Sequence, residues 1–159
     1  MEKLLNDEFW NKLPQNFVLV KEEDYGRFKD ISPEATPERI YKFEDEYIVF
    51  NAIKDWEEFV KMYDDNLSEI EKVAKTGDWR KTTLIKPIFH GWKNIKGKQF
   101  YFSIFESYNS NEKLSVQIFS EYDGVLVSAS TSAKKENAMS FETIFNNNKF
   151  IKGIIRVFL

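Results

Sequence analysis

His90 is the only histidine among the 159 residues, and the chain has no cysteine. It follows Phe89 and precedes Gly91 and Trp92, near the end of a predicted strand. As a general base it would need a carboxylate or hydroxyl within hydrogen-bonding reach, and no neighbouring signature nominates one. The sequence therefore favours a hydrogen-bonded structural histidine over a catalytic one. As a metal ligand it would stand alone, so a metal site would depend on carboxylates and would suit Mg²⁺ or Ca²⁺ better than Zn²⁺.

Carboxylates are plentiful and occur in runs, namely Glu22-Glu23-Asp24, Glu44-Asp45-Glu46 and Asp64-Asp65. Two acids at a working distance can support glycosidase or phosphoryl-transfer chemistry, but neighbours on one helix or loop do not indicate such convergence. The sequence has no glycine-rich phosphate loop and no metalloprotease, EF-hand or nucleophile-elbow pattern. We therefore assign no catalytic residue, cofactor or metal ligand, and the expectation is a protein that is not an enzyme.

The net charge of −3 conceals an uneven distribution along the chain. Residues 1–80 carry 12 Lys/Arg and 20 Asp/Glu, whereas residues 81–159 carry 11 and 6. Such asymmetry fits an acidic surface that attracts a basic partner, or two halves that neutralise each other within one fold. Lysines alternate with aromatic residues over 81–100, which would suit nucleic-acid binding, but a pI near 5.4 argues against that partner.

Length and composition predict one globular domain over residues 1–159. With 42% apolar and 31% charged residues, the chain is unlike a disordered one. Its first residues are acidic and amide-bearing, where a secretory signal needs an apolar run, and no segment approaches the length of a membrane span. Together with the absence of cysteine, this leads us to expect a cytoplasmic protein without membrane contact.

Apolar residues recur at helical spacing over 3–13, where Pro14 ends the pattern, and over 56–75, where they form the longest stripe. Asp55 and Glu58 have capping-box-like spacing at the start of that second helix. Residues 21–42 are expected to form a long loop with helical turns starting at Ser32-Pro33 and Thr36-Pro37. A helix over 137–146 and a strand over 150–159 complete the prediction.

Strands are predicted over 17–20, 47–50, 83–92, 99–108, 114–121 and 125–131. A two-residue turn at Asp123-Gly124 pairs Tyr122 with Val125 and, further along, Ile118 with Ala129. Pairing Tyr108 with Leu114 across the preceding loop sets Ile104 against Ile118. The two turns agree on one apolar face, formed by Phe100, Phe102, Ile104, Leu114, Val116, Ile118, Val125, Val127 and Ala129.

The long helix is expected to pack on that apolar face. The opposite face mixes large rings with serines and is called here the mixed face: Tyr101, Ser103, Phe105, Ser107, Ser115, Gln117, Phe119, Glu121, Leu126, Ser128 and Ser130. A surface of this kind suits a contact patch or the wall of a pocket. It is equally explained if the terminal strand, the 134–149 region or the early loop covers it.

The predicted fold is α+β, with a twisted, mostly antiparallel sheet of about five strands packed on one long helix and a short N-terminal helix. The expected function is that of a protein-interaction module. Its acidity and aromatic content are those of small bacterial immunity or inhibitor proteins, which neutralise a toxin or effector by occluding it. The alternatives are a small-molecule-binding domain or enzyme with a pocket on the mixed face, and a homodimer formed through that face.

Nine residues are the candidates for partner binding. The carboxylates expected to steer a basic partner are Glu44, Asp45, Glu46, Asp64 and Asp65. The aromatic residues expected to anchor it are Trp79, Tyr101, Phe105 and Phe119.

Overall fold

The computed structural model describes residues 3–27, 37–54, 56–75, 78–108, 112–137, 140–147 and 149–159. Within them lie helices α1 (Asp7–Trp10), α2 (Glu57–Ala74), α3 (Trp79–Thr82), α4 (Phe141–Asn147) and α5 (Lys149–Phe158). The strands are β1 (Val18–Leu19), β2 (Arg39–Phe43), β3 (Glu46–Ile53), β4 (Ile85–Ile95), β5 (Lys98–Ser107), β6 (Lys113–Tyr122) and β7 (Val125–Lys134). The caps predicted at Ser32, Thr36 and Asp55 fall outside the described residues.

The strands form one antiparallel sheet in the order β1-β2-β3-β7-β6-β5-β4. The α+β class is confirmed, but a sheet of about five strands was too small an expectation. Strand β2 lies where a loop was predicted, and it joins β1 to the sheet. The strand was not predicted because two of its five residues, Arg39 and Lys42, are charged. The other three side chains are buried.

Two tight turns set the register of the hairpins. In the β4–β5 turn, Lys96 and Gly97 have φ of 51° and 86°, and in the β6–β7 turn Asp123 and Gly124 have 50° and 85°. Positive φ at both central residues is the geometry whose twist matches that of paired strands. The predicted β6–β7 register, from Tyr122 with Val125 onward, is confirmed.

The β5–β6 register was wrong by two residues. Ile104 lies opposite Val116, not Ile118, because the loop after Ser107 is not closed by a Tyr108–Leu114 pair. A shift of two residues keeps every side chain on its own face of the sheet. The predicted apolar and mixed faces therefore survive the error.

The apolar face is covered by the two ends of the chain, and not by α2 as expected. Phe100, Phe102 and Ile104 are fully buried in one cluster with residues of α1 and α5. The segment 150–159, predicted as a strand, belongs to helix α5. Its buried residues Ile151, Ile154, Ile155 and Phe158 follow the i, i+3, i+4, i+7 spacing of a helix, which their β-branched composition obscured.

Helix α5 lies close to the N-terminal segment at Gly153. A Cβ added there would lie 2.8 Å from Cγ of Pro14 and 3.4 Å from its Cδ. We expect Gly153→Ala to lower the free energy of unfolding by about 1–3 kcal/mol in urea denaturation, although alanine is the better helix former by about 1 kcal/mol. In a Pro14→Ala background the same substitution should be neutral or stabilising by up to about 1 kcal/mol. An equal loss in both backgrounds would contradict this close approach.

Helix α2 covers the mixed face. Val60 packs with Tyr101, Phe119 and Leu126 in a second buried cluster, against which Trp56 and Tyr63 lie. The mixed face is therefore mainly an interior surface, and the segment that covers it differs from each of the three considered. Within the described residues, no helix is both long and apolar enough to cross a lipid bilayer.

Candidate functional site

The described residues bring His90 together with two carboxylates of α2. Asp64 Oδ1 lies 2.6 Å from His90 Nδ1 and accepts a hydrogen bond from the hydroxyl of Tyr101 at 2.7 Å. Glu71 Oε2 lies 3.9 Å from His90 Nε2. The imidazole is 12% exposed, because His90 lies on β4 and its side chain contacts α2. These contacts join the helix to the sheet.

The contacts of this cluster fix its protonation. Burial alone would raise the pKa of Asp64, but the hydrogen bonds from His90 and Tyr101, with the charge of His90, outweigh it and hold that pKa below its ordinary value. Burial, followed by the hydrogen bond to Asp64 and its negative charge, raises the pKa of Tyr101. Asp64 is therefore an ionised acceptor and Tyr101 a neutral donor across the pH range in which proteins are usually stable.

A second polar group joins α2 to the middle of the mixed face. The hydroxyl of Tyr63 lies 2.7 Å from Gln117 Oε1 on β6 and 3.2 Å from Ser103 Oγ on β5. Burial raises the pKa of Tyr63, so its hydroxyl stays a neutral donor. The rings of Tyr63 and Phe119 pack edge to face at 5.2 Å, and this adds apolar contact beside the hydrogen bonds.

Asp64, His90 and Ser103 have the composition of a hydrolytic triad but not its geometry. A triad needs the second imidazole nitrogen to face the serine hydroxyl. Here His90 Nε2 faces Glu71, while Ser103 is 1% exposed and its hydroxyl contacts Tyr63. The arrangement supports the structural interpretation of His90.

Sequence analysis nominated no partner for His90 and expected Asp64 to steer a partner. In the structure the Asp64 side chain is 38% exposed, and it also contacts His90 and accepts a hydrogen bond from Tyr101. Val60, Asp64, Leu67 and Glu71 have the spacing i, i+4, i+7, i+11, so they form one inner row that faces the sheet. Val60 and Leu67 are each 3% exposed. The sequence does hold a signal for these contacts. Asp64 and Glu71 share a helical row with the buried Val60 and Leu67, and a carboxylate in such a row needs a hydrogen-bond or charge partner.

The carboxylates expected to steer a partner do not form one surface. Glu46 is held internally by Lys113 Nζ at 2.7 Å and Ser132 Oγ at 2.7 Å, and its side chain is 17% exposed. Glu44 and Asp45 are exposed in the β2–β3 turn, whereas Asp65 is exposed on α2. Glu46 and Asp64 therefore have partners within the fold, and their expected role in steering a partner stays a prediction.

The expected anchors are mostly inside the fold. Tyr101 is 0%, Phe119 3% and Trp79 7% exposed, and Phe105 is partly buried. Tyr101 and Phe119 lie under α2, and the guanidinium of Arg80 covers the ring of Trp79 at 4.5 Å. Tyr101 and Phe119 thus pack against α2 and Trp79 lies within α3, so these three rings contribute to packing and are not part of an exposed surface.

Helix α2 presents a different row to solvent. Glu58, Met62, Asp65 and Glu69 repeat the same spacing on the opposite side of the helix, and we call them the outer row. Met62 is 62% exposed, and the three carboxylates around it are exposed as well. Lys72 pairs with Glu69 at 3.2 Å, whereas Glu58 and Asp65 make no ion pair with any other described residue. The outer row is acidic and has an apolar side chain at its centre.

An open groove lies beside the N-terminus of α2, next to the mixed face. Its volume is about 650 Å³, and it is lined by Trp56, Trp92, Gly97, Lys98, Gln99 and Glu121. Trp92 is 46% exposed and packs edge to face on Tyr101 at 5.6 Å. Across the seven described segments, no three histidine or acidic side chains are placed to hold a metal ion.

Comparison with known proteins gives little further information. No protein-family model matches the sequence, and no curated protein matches it. Among solved structures, the solution structure of cyanobacterial PsbP (CyanoP) from Synechocystis sp. PCC 6803 aligns with a TM-score of 0.49 and 13% identity, over 84% of this chain and 78% of that one.

Proposed function

We propose that this protein is a protein-interaction domain that binds a basic partner through the outer row of α2. In this proposal it acts in the cytoplasm as a small immunity or inhibitor protein, which neutralises a toxin or effector by occluding it and performs no catalysis. The observation that carries the proposal is the exposure of Met62 among Glu58, Asp65 and Glu69.

The chemistry of the outer row suits association. Burying an exposed methionine side chain contributes about 1.5–3 kcal/mol, and the carboxylates around it attract a basic surface before contact. The packing of α2 supports this role, because Asp64 of the inner row and the neighbouring Tyr63 join the helix to the sheet through hydrogen bonds. A helix already held in place loses little conformational entropy when a partner binds.

The alternative is a small-molecule site on the mixed face. Its centre is closed by α2, since Tyr101, Ser103 and Phe119 are all at most 3% exposed. The groove beside Trp56 and Trp92 is the specific observation that favours this alternative, because its volume lies within the range of small-molecule sites.

Charge reversal tests the proposal. The partner to test is the product of the adjacent reading frame, where the proposal expects the toxin or effector to be encoded. The double variant Glu58→Lys, Asp65→Lys should associate with it about tenfold more slowly than the wild type at about 0.01 M salt. At about 0.15 M salt this difference should shrink, because screening removes the attraction. Stopped-flow measurements give the association rate constants of the wild type and the variant at the two salt concentrations.

The matched control carries the same change in charge at the β2–β3 turn. Glu44→Lys, Asp45→Lys should slow association by less than about threefold, since these exposed carboxylates lie outside the outer row. Equal rates for wild type and both double variants, or equal losses in the two variants, would refute the assignment of the surface.

A further inference from the structure

The groove beside α2 is lined by two tryptophans, and the strands that carry or precede them lie far apart in the order of the sheet. Trp92 comes from β4 at the sheet edge, while Trp56 follows β3, with β7, β6 and β5 between those strands. Gln99 precedes Tyr101 by two residues and Glu121 follows Phe119 by two, and Tyr101 pairs with Phe119. Gln99 and Glu121 therefore lie side by side on the mixed face, between the two tryptophans.

One carboxylate, that of Glu121, lines the groove, and the ammonium of the lysine in the lining is directed elsewhere. Nζ of Lys98 lies 5.8 Å from the ring centre of Phe158, a residue of α5 on the apolar side of the sheet. The ammonium is thus directed away, and the lysine contributes its aliphatic chain. Glu121 is held in place by the backbone N–H of Gly124, which donates to its Oε1 at 2.7 Å. A carboxylate accepts up to about four hydrogen bonds, so Glu121 keeps capacity for a ligand.

We infer that this groove binds an arginine side chain of the basic partner, an inference that rests on the proposed function. A guanidinium stacks on indole rings and donates two parallel hydrogen bonds to a carboxylate, and both groups line the groove. Glu57 and Glu58 follow Trp56 directly and add attraction for a cation. The volume of about 650 Å³ exceeds that of one side chain and leaves room for the flanking peptide backbone.

Other ligand classes fit the groove less well. A purely apolar ligand would remove Glu121 from water without giving it a partner, which is unfavourable. An anion would be repelled by the same carboxylate and by the acids at the start of α2. A planar cation with a delocalised charge can stack on the tryptophan rings and pair with the Glu121 carboxylate at the same time.

The probe is acetyl-Gly-Arg-Gly-amide, titrated into the full-length ¹⁵N-labelled protein. The four tryptophans give four indole N–H signals. Those of Trp56 and Trp92 should move with one saturation curve, while those of Trp10 and Trp79, each 7% exposed and outside the groove, should not. The same peptide with citrulline in place of arginine keeps the shape without the charge and should bind at least about fivefold more weakly.

Variants locate the site on the groove residues. Glu121→Gln retains an acceptor for Gly124 but removes the charge, and it should weaken arginine binding about two- to fivefold. Trp92→Leu should have an effect of similar size, and its half-exposed position makes the fold tolerant of the change. Glu112→Gln removes an exposed carboxylate just before the opposite end of β6 and should leave the titration unchanged.

Equal titrations with the arginine and citrulline peptides, or shifts confined to Trp10 and Trp79, would overturn the inference. Its failure can be distinguished from that of the proposed function. If outer-row charge reversal slows partner association but the arginine peptide does not bind, the groove assignment alone is wrong. If the peptide binds but charge reversal has no effect on association, the groove binds arginine and the outer row is not the partner surface.

Discussion

Phe9→Ala is expected to lower the free energy of unfolding by about 3–5 kcal/mol, the largest effect of any substitution considered. Phe9 is fully buried although it belongs to a helix of four residues. Its ring packs edge to face on Trp10 at 4.9 Å and Tyr122 at 4.8 Å, and it also contacts Phe158 of α5 at 5.7 Å. Removing it leaves a cavity where both chain ends meet the sheet. Urea denaturation measures the loss.

Tyr108→Ala is the matched control for this substitution, because Tyr108 is an aromatic residue that is 52% exposed after β5. It should cost less than about 1 kcal/mol. If Phe9→Ala cost as little as Tyr108→Ala, the N-terminal segment would not be part of the core, contrary to the structure.

Asp64→Asn is expected to lower the free energy of unfolding by about 0.5–1.5 kcal/mol near neutral pH, because the hydroxyl of Tyr101 and the imidazole of His90 lose a charged acceptor. Solvent screens part of this effect, since the Asp64 side chain is 38% exposed. The loss should depend on pH. The pKa of Asp64 in the folded protein is below its ordinary value of about 3.9, so its stabilising effect is present above that value. The effect is lost as the pH falls through the folded-state pKa, and the two proteins should then approach each other in stability.

Asp65→Asn provides a neighbouring control, since Asp65 is exposed in the outer row. It should change the free energy of unfolding by less than about 0.5 kcal/mol at any pH at which the protein folds. Urea denaturation at several pH values compares the three proteins. A loss for Asp64→Asn that stays constant down to strongly acidic pH would contradict the role of the carboxylate charge.

The hairpins and the two faces of the sheet followed from sequence because they depend on local features. Asp123-Gly124 requires the backbone of a tight turn, and alternation then fixes the face of each residue between Leu114 and Ala129. The choice of face for α2 is not local. Its apolar stripe fits either the phenylalanines of the apolar face or the rings of the mixed face. No local feature of residues 56–75 distinguishes the two faces, and residues 150–159, predicted as a strand, form the helix that helps to cover the apolar face.

The candidate site was predicted only in part for the same reason. Asp65 is exposed as expected, but Asp64, one residue away, turns inward to a histidine 26 residues further along the chain. That distinction depends on the rotation of α2 about its axis, which its packing on Tyr101 and Phe119 determines. A pocket on the mixed face was one of the alternatives, but its lining by Trp56 and Trp92 was not predicted, because these residues and Glu121 come from three separate segments.

The inner and outer rows of α2 give one account of the molecule. The hydrogen bonds that Tyr63 donates and Asp64 accepts fix how the helix lies on the sheet, and this orientation determines that Met62 and its surrounding carboxylates face solvent. The helix is thus a fixed, acidic surface, and the account requires that a partner bind there.

Methyl NMR of the protein labelled at methionine tests that requirement most directly. The chain has three methionines, Met1, Met62 and Met139, and therefore three methyl signals. As the product of the adjacent reading frame is added to saturation, the Met62 signal should shift or broaden most, and Glu58→Lys, Asp65→Lys should require a higher partner concentration for the same change. A Met62 signal that stays in place at saturation, while other signals of the protein move, would contradict the account.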